Sequence, residues 1–181
     1  GGGGVSGTGG SVQIKSGFSS KSSSGKIDIV TPNAGETGQS GKLWLYTGTS
    51  SNGNSGEILM ETGFALFGSS ANISVFGGVS GVGGGSTISL QSGQQLSGTG
   101  GSIDIRSGRS IETSSGAIEL STTSGGKEGS SGLTMVYSGN SQHGGTGDVQ
   151  FSTGNSTKSQ AGSANLHVGS SDAKVGGSVY L

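Results

Sequence analysis

The chain has 181 residues, of which 27% are hydrophobic, 10% are charged and none is cysteine, and its formal net charge is −1. A near-neutral charge gives no electrostatic basis for binding nucleic acid. The absence of cysteine excludes a disulfide framework and thiolate metal sites. No apolar run approaches the roughly 20 residues that a membrane-spanning helix needs, so we expect no insertion into a membrane.

A pair of apolar residues, separated by one residue, recurs along the whole chain. Of the eleven steps between successive pairs, nine are 15 residues long and two are 16. The twelve pairs are Val12/Ile14, Ile27/Ile29, Leu43/Leu45, Ile58/Met60, Ile73/Val75, Ile88/Leu90, Ile103/Ile105, Ile118/Leu120, Leu133/Met135, Val149/Phe151, Ala164/Leu166 and Val179/Leu181. A fixed period of this kind indicates a tandem-repeat architecture, whereas 42 glycines without a period would indicate a disordered linker.

Each repeat is predicted to contain one short strand between glycines. With the first apolar residue of a pair as position 0, glycine stands at position −2 in nine of twelve repeats and at position +5 in eight of eleven. Strict alternation of apolar and polar residues predicts a half-buried strand. We expect the bounding glycines to supply positive φ at corners. The Ser or Thr at position +4 is expected to face a dry core together with the apolar pair.

The predicted fold is an all-β parallel solenoid of twelve strand-loop units, forming one repeat array over residues 1–181. Two units per coil are favoured, because the apolar faces of two sheets then pack against each other. One unit per coil is the alternative, although it would place Asp104 beside Glu119 as a like-charge cross-strand pair. The array begins in a Gly-rich loop and ends on a strand, which is typical of a mature fragment or a slice of a longer chain.

Two repeats carry a family resemblance: GGSIDIRSG at Gly100–Gly108, and the similar segment GGSVQIKSG at Gly9–Gly17. The chain resembles the long Gly/Ser-rich tandem-repeat surface and filament proteins of microalgae and bacteria. That resemblance implies a secreted β-solenoid with a structural or adhesive role, located outside the cell or on its surface. It implies no particular functional residue.

Apolar side chains at outward strand positions are concentrated between residues 30 and 76. Elsewhere these positions are mostly polar or charged, so the concentration is local. We call this set the assembly patch: Val30, Trp44, Tyr46, Leu59 and Phe76. Exposed apolar patches of this kind mark contacts with partners, and the expected partner is another copy of the chain.

Two N-glycosylation sequons occur, Asn72-Ile73-Ser74 and Asn155-Ser156-Thr157. They make Asn72 and Asn155 candidate acceptors in a eukaryotic secretory route. Glycans are therefore considered as a second class of partner.

Catalytic, cofactor-binding and metal-binding residues are not predicted. His143 and His167 are 24 residues apart, each in a polar context. The stretch 144–149 approximates a calcium-binding β-roll repeat, but the aspartates that would build the calcium cage do not recur in the other repeats. We therefore expect no enzymatic activity and no cofactor.

The function predicted from these patterns is that of a structural subunit of an extracellular filament or cell-surface appendage. It would assemble through its strand ends and the assembly patch. The alternative is a binding module, such as an adhesin stalk or a carbohydrate- or ice-binding solenoid.

Overall fold

The computed structural model describes residues 7–172 and 176–180, and over these ranges the backbone forms no helix and no β-strand. The prediction of an all-β parallel solenoid is therefore wrong, for two units per coil and for one. Leu181, the second member of the last apolar pair, lies outside the described residues. The local structure consists instead of extended segments joined by bent connectors.

The 15-residue period of the sequence reappears in the backbone as regularly spaced bends. The bends that begin at residues 36, 51, 66, 81, 96 and 111 follow one another at 15-residue steps. The described connectors bend at 20–22, 36–38, 51–53, 66–68, 81–83, 96–98, 111–113, 127–128, 142–144 and 157–159. The repeat therefore organises the local structure of the described residues even though it builds no sheet there.

Serine hydroxyls stabilise several of these bends. In each case the Ser that precedes the bend accepts a hydrogen bond from the backbone N–H three residues further on, which is the geometry of a Ser/Thr turn. The pairs are Ser19–Ser22 at 3.0 Å, Ser110–Thr113 at 2.9 Å, Ser141–Gly144 at 3.0 Å and Ser156–Ser159 at 3.1 Å. The abundant Ser of the connectors thus has a local structural role.

Positive φ angles occur inside the connectors. They are found at Gly38 (127°), Gly83 (103°) and Gly98 (140°), which are each the last residue of a bend. Bounding glycines such as Gly25 and Gly101 have no positive φ. The expectation that the bounding glycines supply positive φ at corners is therefore wrong, and another reason must explain glycine there.

Hydrogen bonds close the two ends of a connector on each other, and we call this closure the neck. In the backbone, Gly25 N–H donates to Gly17 O at 2.8 Å, and Gly101 N–H donates to Gly93 O at 3.0 Å. A side-chain hydrogen bond reinforces the neck. In this bond the hydroxyl at position +4 donates to the backbone carbonyl of a glycine just before the next apolar pair. These bonds are Ser16–Gly25 at 2.8 Å, Thr47–Gly56 at 3.1 Å, Ser92–Gly101 at 2.9 Å and Thr122–Gly132 at 3.2 Å.

Glycine at position −2 is explained by close approach at the neck. A Cβ atom added at Gly56 would lie 3.2 Å from Thr47 Cγ2, and one added at Gly101 would lie 3.3 Å from Ser92 Cβ. One connector reverses the roles, because Ser86 at position −2 donates to Gly78 O at 3.0 Å while glycine occupies position +4 at Gly77. One side of the neck therefore carries the side chain and the other side leaves room for it.

The position +4 hydroxyls were expected to line a core, but they close connectors instead. Thr47 and Ser92, both at position +4, are among the few partly sheltered residues. Closing a loop of about eight residues costs about 1 kcal/mol less than closing one of about 30, because the entropic cost rises with loop length. Ordering the 42 glycines of a full sheet would add a large backbone entropy cost. Local closure is therefore the less costly way to pair backbone groups.

The chain divides into two units, Gly1–Ser89 and Leu90–Leu181. The first unit contains the whole assembly patch. The second contains the region around Phe151 and Leu166, which is described below. In both, the described residues follow the same pattern of extended segments, bends and necks.

Candidate self-assembly surface

The apolar pairs, which were expected to face a dry core, are exposed to solvent. Ile103 is 50% exposed, Ile105 is 68% exposed and Leu90 is 73% exposed. Among the described residues no hydrophobic side chain is buried. The expected inward face of the segments is therefore accessible. We call the described members of the twelve pairs, which are all the members except Leu181, the apolar stripe.

The assembly patch is also exposed, as expected from its outward positions. Val30 is 80% exposed, Trp44 65%, Tyr46 73%, Leu59 70% and Phe76 86%. These values are similar to those of the apolar stripe, so exposure does not separate the two sets. What distinguishes the patch is its aromatic content, since Trp and Tyr dominate the binding energy of many interfaces.

Within the patch, the structure brings together Trp44 and Tyr46. Their ring centroids are 6.0 Å apart and their planes meet at 82°, an edge-to-face arrangement. Lys42 Nζ lies 4.9 Å from the centroid of the Trp44 ring system, a cation–π contact. These three residues alternate along one extended segment, so alternation places them on one side of it. Val30, Leu59 and Phe76 belong to other segments of the same unit.

Two pairs of charged side chains are neutralised within their own segments. Lys26 Nζ lies 2.6 Å from Asp28 Oδ2, and Arg106 Nη2 lies 2.6 Å from Asp104 Oδ2. All four side chains are largely exposed, so each ion pair contributes little to stability. The pairs do leave the segments locally neutral, which lowers the repulsion between identical surfaces.

The sequon residues Asn72 and Asn155 are both exposed. Asn155 lies in a connector two residues before the bend at 157–159, and the hydroxyl of its neighbour Ser156 accepts a hydrogen bond from Ser159 N–H at 3.1 Å. Asn72 lies on an extended segment next to the apolar stripe. Their role as glycan acceptors stays a prediction.

The other chemical candidates remain separate residues. His143 lies in a connector bend and His167 lies on an extended segment, and both are exposed. Within the described ranges, no three or more His, Cys, Asp or Glu side chains are grouped closely enough to hold a metal ion. Those ranges also contain no helix long and apolar enough to cross a membrane.

A cleft in the second unit was not predicted from the sequence. It has a volume of about 380 Å³ and is lined by Phe151, Ala164, Asn165 and Leu166. These residues come from two successive repeats of the apolar stripe. The signal that could have located it is Ala164, since every other position 0 in the chain is Val, Ile or Leu.

Comparison with known proteins adds no relative to these observations. No protein-family model, no curated protein and no solved structure matches the chain. The resemblance to Gly/Ser-rich tandem-repeat surface proteins stays a prediction. The exposed apolar surface and its chemistry are therefore the features of the molecule that bear on its function.

Proposed function

We propose that the chain is a structural subunit of an extracellular filament or cell-surface appendage, and that it assembles with copies of itself. The observation that carries this proposal is the exposure of every large apolar side chain among the described residues. Assembly would bury the apolar stripe and the assembly patch between copies. The extracellular location rests on the resemblance of the repeats to secreted tandem-repeat proteins.

The extent of the exposed surface favours many neighbours over one. The chain exposes 18615 Å² at a mass of 17.4 kDa, whereas a folded monomer of that mass exposes about 7,900 Å². The excess is more than ten times the roughly 800 Å² that each partner buries in an interface of standard size. Burying such an area requires contacts along much of the chain, as in a polymer.

Backbone hydrogen-bonding groups point to the same conclusion. In the described residues, the backbone bonds run across connectors, as between Gly116 N–H and Gly108 O at 3.0 Å. The extended segments between necks offer N–H and C=O groups to a neighbouring chain. Extended segments with unpaired groups are templates for pairing between molecules.

Electrostatics does not oppose association of identical copies. The net charge is −1, so long-range repulsion is weak. The ion pairs Lys26–Asp28 and Asp104–Arg106 place each charge next to its opposite. When identical segments lie side by side, each like-charge contact is accompanied by a neighbouring opposite charge.

The alternative, a carbohydrate-binding module, is less well supported by the aromatic geometry. Trp44 and Tyr46 are inclined at 82° to each other, so they do not form the flat platform on which a sugar chain would stack. Lys42 occupies part of the Trp44 face. A binding module would remain dispersed in the absence of glycan, whereas the proposed subunit would not.

Electron microscopy and sedimentation of the purified chain test the proposal. We expect filaments by negative staining and a fast-sedimenting species whose fraction rises with concentration. A chain that stays monomeric over the whole accessible concentration range would refute the proposal.

A matched pair of variants tests whether the apolar stripe drives assembly. Ile103→Asp places a carboxylate in the stripe, where assembly would desolvate it. Ser97→Asp places the same group in a connector bend of the same unit. We expect Ile103→Asp to reduce assembly strongly and Ser97→Asp to leave it close to that of the parent; equal effects would exclude the stripe as the contact.

A further inference from the structure

One asparagine of the chain is followed directly by glycine, and it lies in the bend of a connector. Asn52 is the middle residue of the bend at 51–53, and Gly53 is the last. Every other asparagine precedes Ala, Ser, Ile or Leu; these are Asn33, Asn54, Asn72, Asn140, Asn155 and Asn165. Because glycine has no Cβ, the backbone nitrogen that follows Asn52 is the least hindered of those next to an asparagine.

The bend at 51–53 is the exposed tip of a closed connector. Thr47 Oγ1 donates a hydrogen bond to Gly56 O at 3.1 Å and closes the neck of this connector. Residues 48–56 are all exposed to solvent. Water and hydroxide therefore reach both the side chain of Asn52 and the backbone nitrogen of Gly53.

The backbone N–H of Gly53 differs from its counterparts in other bends. In four bends the N–H of the last residue donates to the hydroxyl of a Ser three residues earlier, and these donors are Ser22, Thr113, Gly144 and Ser159. Ser50 occupies the equivalent place before the bend at 51–53, yet within the described residues Gly53 N–H donates no hydrogen bond. The Gly53 nitrogen can therefore lose its proton to solvent without first breaking an intramolecular hydrogen bond.

We propose that Asn52 is a modification site, at which the chain converts its own asparagine to aspartate or isoaspartate. In the first step, the deprotonated Gly53 nitrogen attacks Asn52 Cγ. The bond between this nitrogen and Cγ forms, the bond between Cγ and Nδ2 breaks, and Nδ2 leaves as ammonia with a proton from solvent. The product is a cyclic imide between residues 52 and 53.

Water opens the cyclic imide in the second step. Attack at Cγ breaks its bond to the Gly53 nitrogen and gives aspartate, whereas attack at the main-chain carbonyl carbon of residue 52 gives isoaspartate, whose main chain runs through Cγ. In both cases the oxygen of water enters the new carboxyl group, and a proton returns to the Gly53 nitrogen. The carboxyl group is ionised at neutral pH, so the reaction adds one negative charge to a chain whose net charge is −1.

The new charge enters the part of the chain that contains the assembly patch. The connector joins the segment of Trp44 and Tyr46 to the segment of Leu59. Glu57, directly after the neck, is already acidic, so the modification increases the negative charge of this part of the unit. The inference goes beyond the proposed function and does not rest on it, because the reaction needs only the bend and water.

Ageing of the purified full chain at neutral pH, below its assembly concentration, tests the inference. We expect isoelectric focusing to show a form that is more acidic by one charge and whose fraction grows with time. We expect peptide mass spectrometry to place the new carboxyl group at residue 52. Ageing at mildly acidic pH should slow the conversion, because a smaller fraction of the Gly53 nitrogen is then deprotonated.

Gly53→Ala is the variant that separates this reaction from other sources of acidic forms. A Cβ added at Gly53 would lie 3.4 Å from Ser50 Oγ, an ordinary contact, and Gly53 is not among the glycines with positive φ. Alanine should therefore keep the bend while its methyl group hinders the attack on Asn52. We expect conversion at residue 52 to be at least roughly tenfold slower in this variant, which corresponds to about 1.4 kcal/mol of activation free energy.

Asn54→Gln is the matched control in the same connector. Asn54 is exposed like Asn52 but precedes Ser55, whose side chain hinders attack by the following nitrogen. We expect Asn54→Gln to gain the acidic form at the rate of the parent.

Three results would refute the modification site. They are a parent that gains no acidic form, equal rates of conversion in the parent and in Gly53→Ala, and a new carboxyl group located at an asparagine other than Asn52. Failure of the proposed function is a different result, since a parent that stays monomeric and still converts Asn52 refutes the filament and supports the modification site.

Discussion

The neck of the connector at 93–101 allows a quantitative prediction for the variant Ser92→Ala. Two hydrogen bonds close this neck, Gly101 N–H to Gly93 O at 3.0 Å and Ser92 Oγ to Gly101 O at 2.9 Å. Together they contribute about 1–3 kcal/mol. Closing a loop of about eight residues costs about 2 kcal/mol of chain entropy, so the closed and open necks are close in free energy.

Removing the hydroxyl should therefore shift this balance measurably. Loss of about 1 kcal/mol lowers the ratio of closed to open necks about fivefold. The measurement is amide hydrogen exchange at Gly101, followed by NMR on the full chain below its assembly concentration, where the protection factor minus one gives the closed-to-open ratio; we expect that ratio to fall about fivefold. Ser92→Thr, which keeps a hydroxyl as Thr47 does in its own neck, should retain protection.

The control lies in the same connector. The backbone carbonyl of Ser97 accepts a hydrogen bond from Gln95 Nε2 at 3.4 Å. Because this bond does not involve the Ser97 side chain, Ser97→Ala keeps the acceptor. We expect Ser97→Ala to leave the exchange of Gly101 unchanged. Equal protection in the parent and in Ser92→Ala would refute the view that the position +4 hydroxyl closes the neck.

Three further predictions concern glycine, charge and solvent. Gly101→Ala brings a Cβ to 3.3 Å from Ser92 Cβ and should lower exchange protection at residue 101, whereas Gly93→Ala meets no atom within 4 Å. Because alanine restricts the open chain by about 0.4–1 kcal/mol, Gly93→Ala should raise the closed-to-open ratio of the neck about two- to fivefold, and a fall in that ratio would contradict the open space at Gly93. Lys26→Ala should change the free energy of assembly, measured by sedimentation, by less than about 1 kcal/mol because its ion pair with Asp28 is exposed. Ammonium sulfate should promote assembly of the parent, measured by light scattering, because excluded salts strengthen apolar burial; dissolution by sulfate would indicate that ion pairs dominate the contact.

The aromatic surface could be anticipated from residue pattern alone. Trp44 and Tyr46 stand at alternate positions of an extended segment, and alternation places such residues on one side whether or not a neighbouring strand is present. Their edge-to-face angle of 82° and the position of Lys42 over the Trp44 ring required the structure. Side-chain torsions decide these features, and the sequence pattern does not specify them.

The cleft required the structure for a different reason. Ala164 is visible in the sequence as an irregularity, but a small residue creates a recess only when Phe151 and Leu166 are held on either side of it. That arrangement depends on the relative placement of two successive repeats. The period along the chain does not determine this placement.

The sequence by itself determined the 15-residue period, the extended character of each repeat and the position of the connectors, because these depend on residues close to one another along the chain. Tertiary structure alone decided whether the segments pair. Ser16 and Gly25 close a local neck, while Ile14 and Ile27 remain exposed between necks. Alternation specifies which side chains share a face. Sheet formation depends instead on whether the free energy of backbone hydrogen bonds between distant segments offsets the entropic cost of closing longer loops.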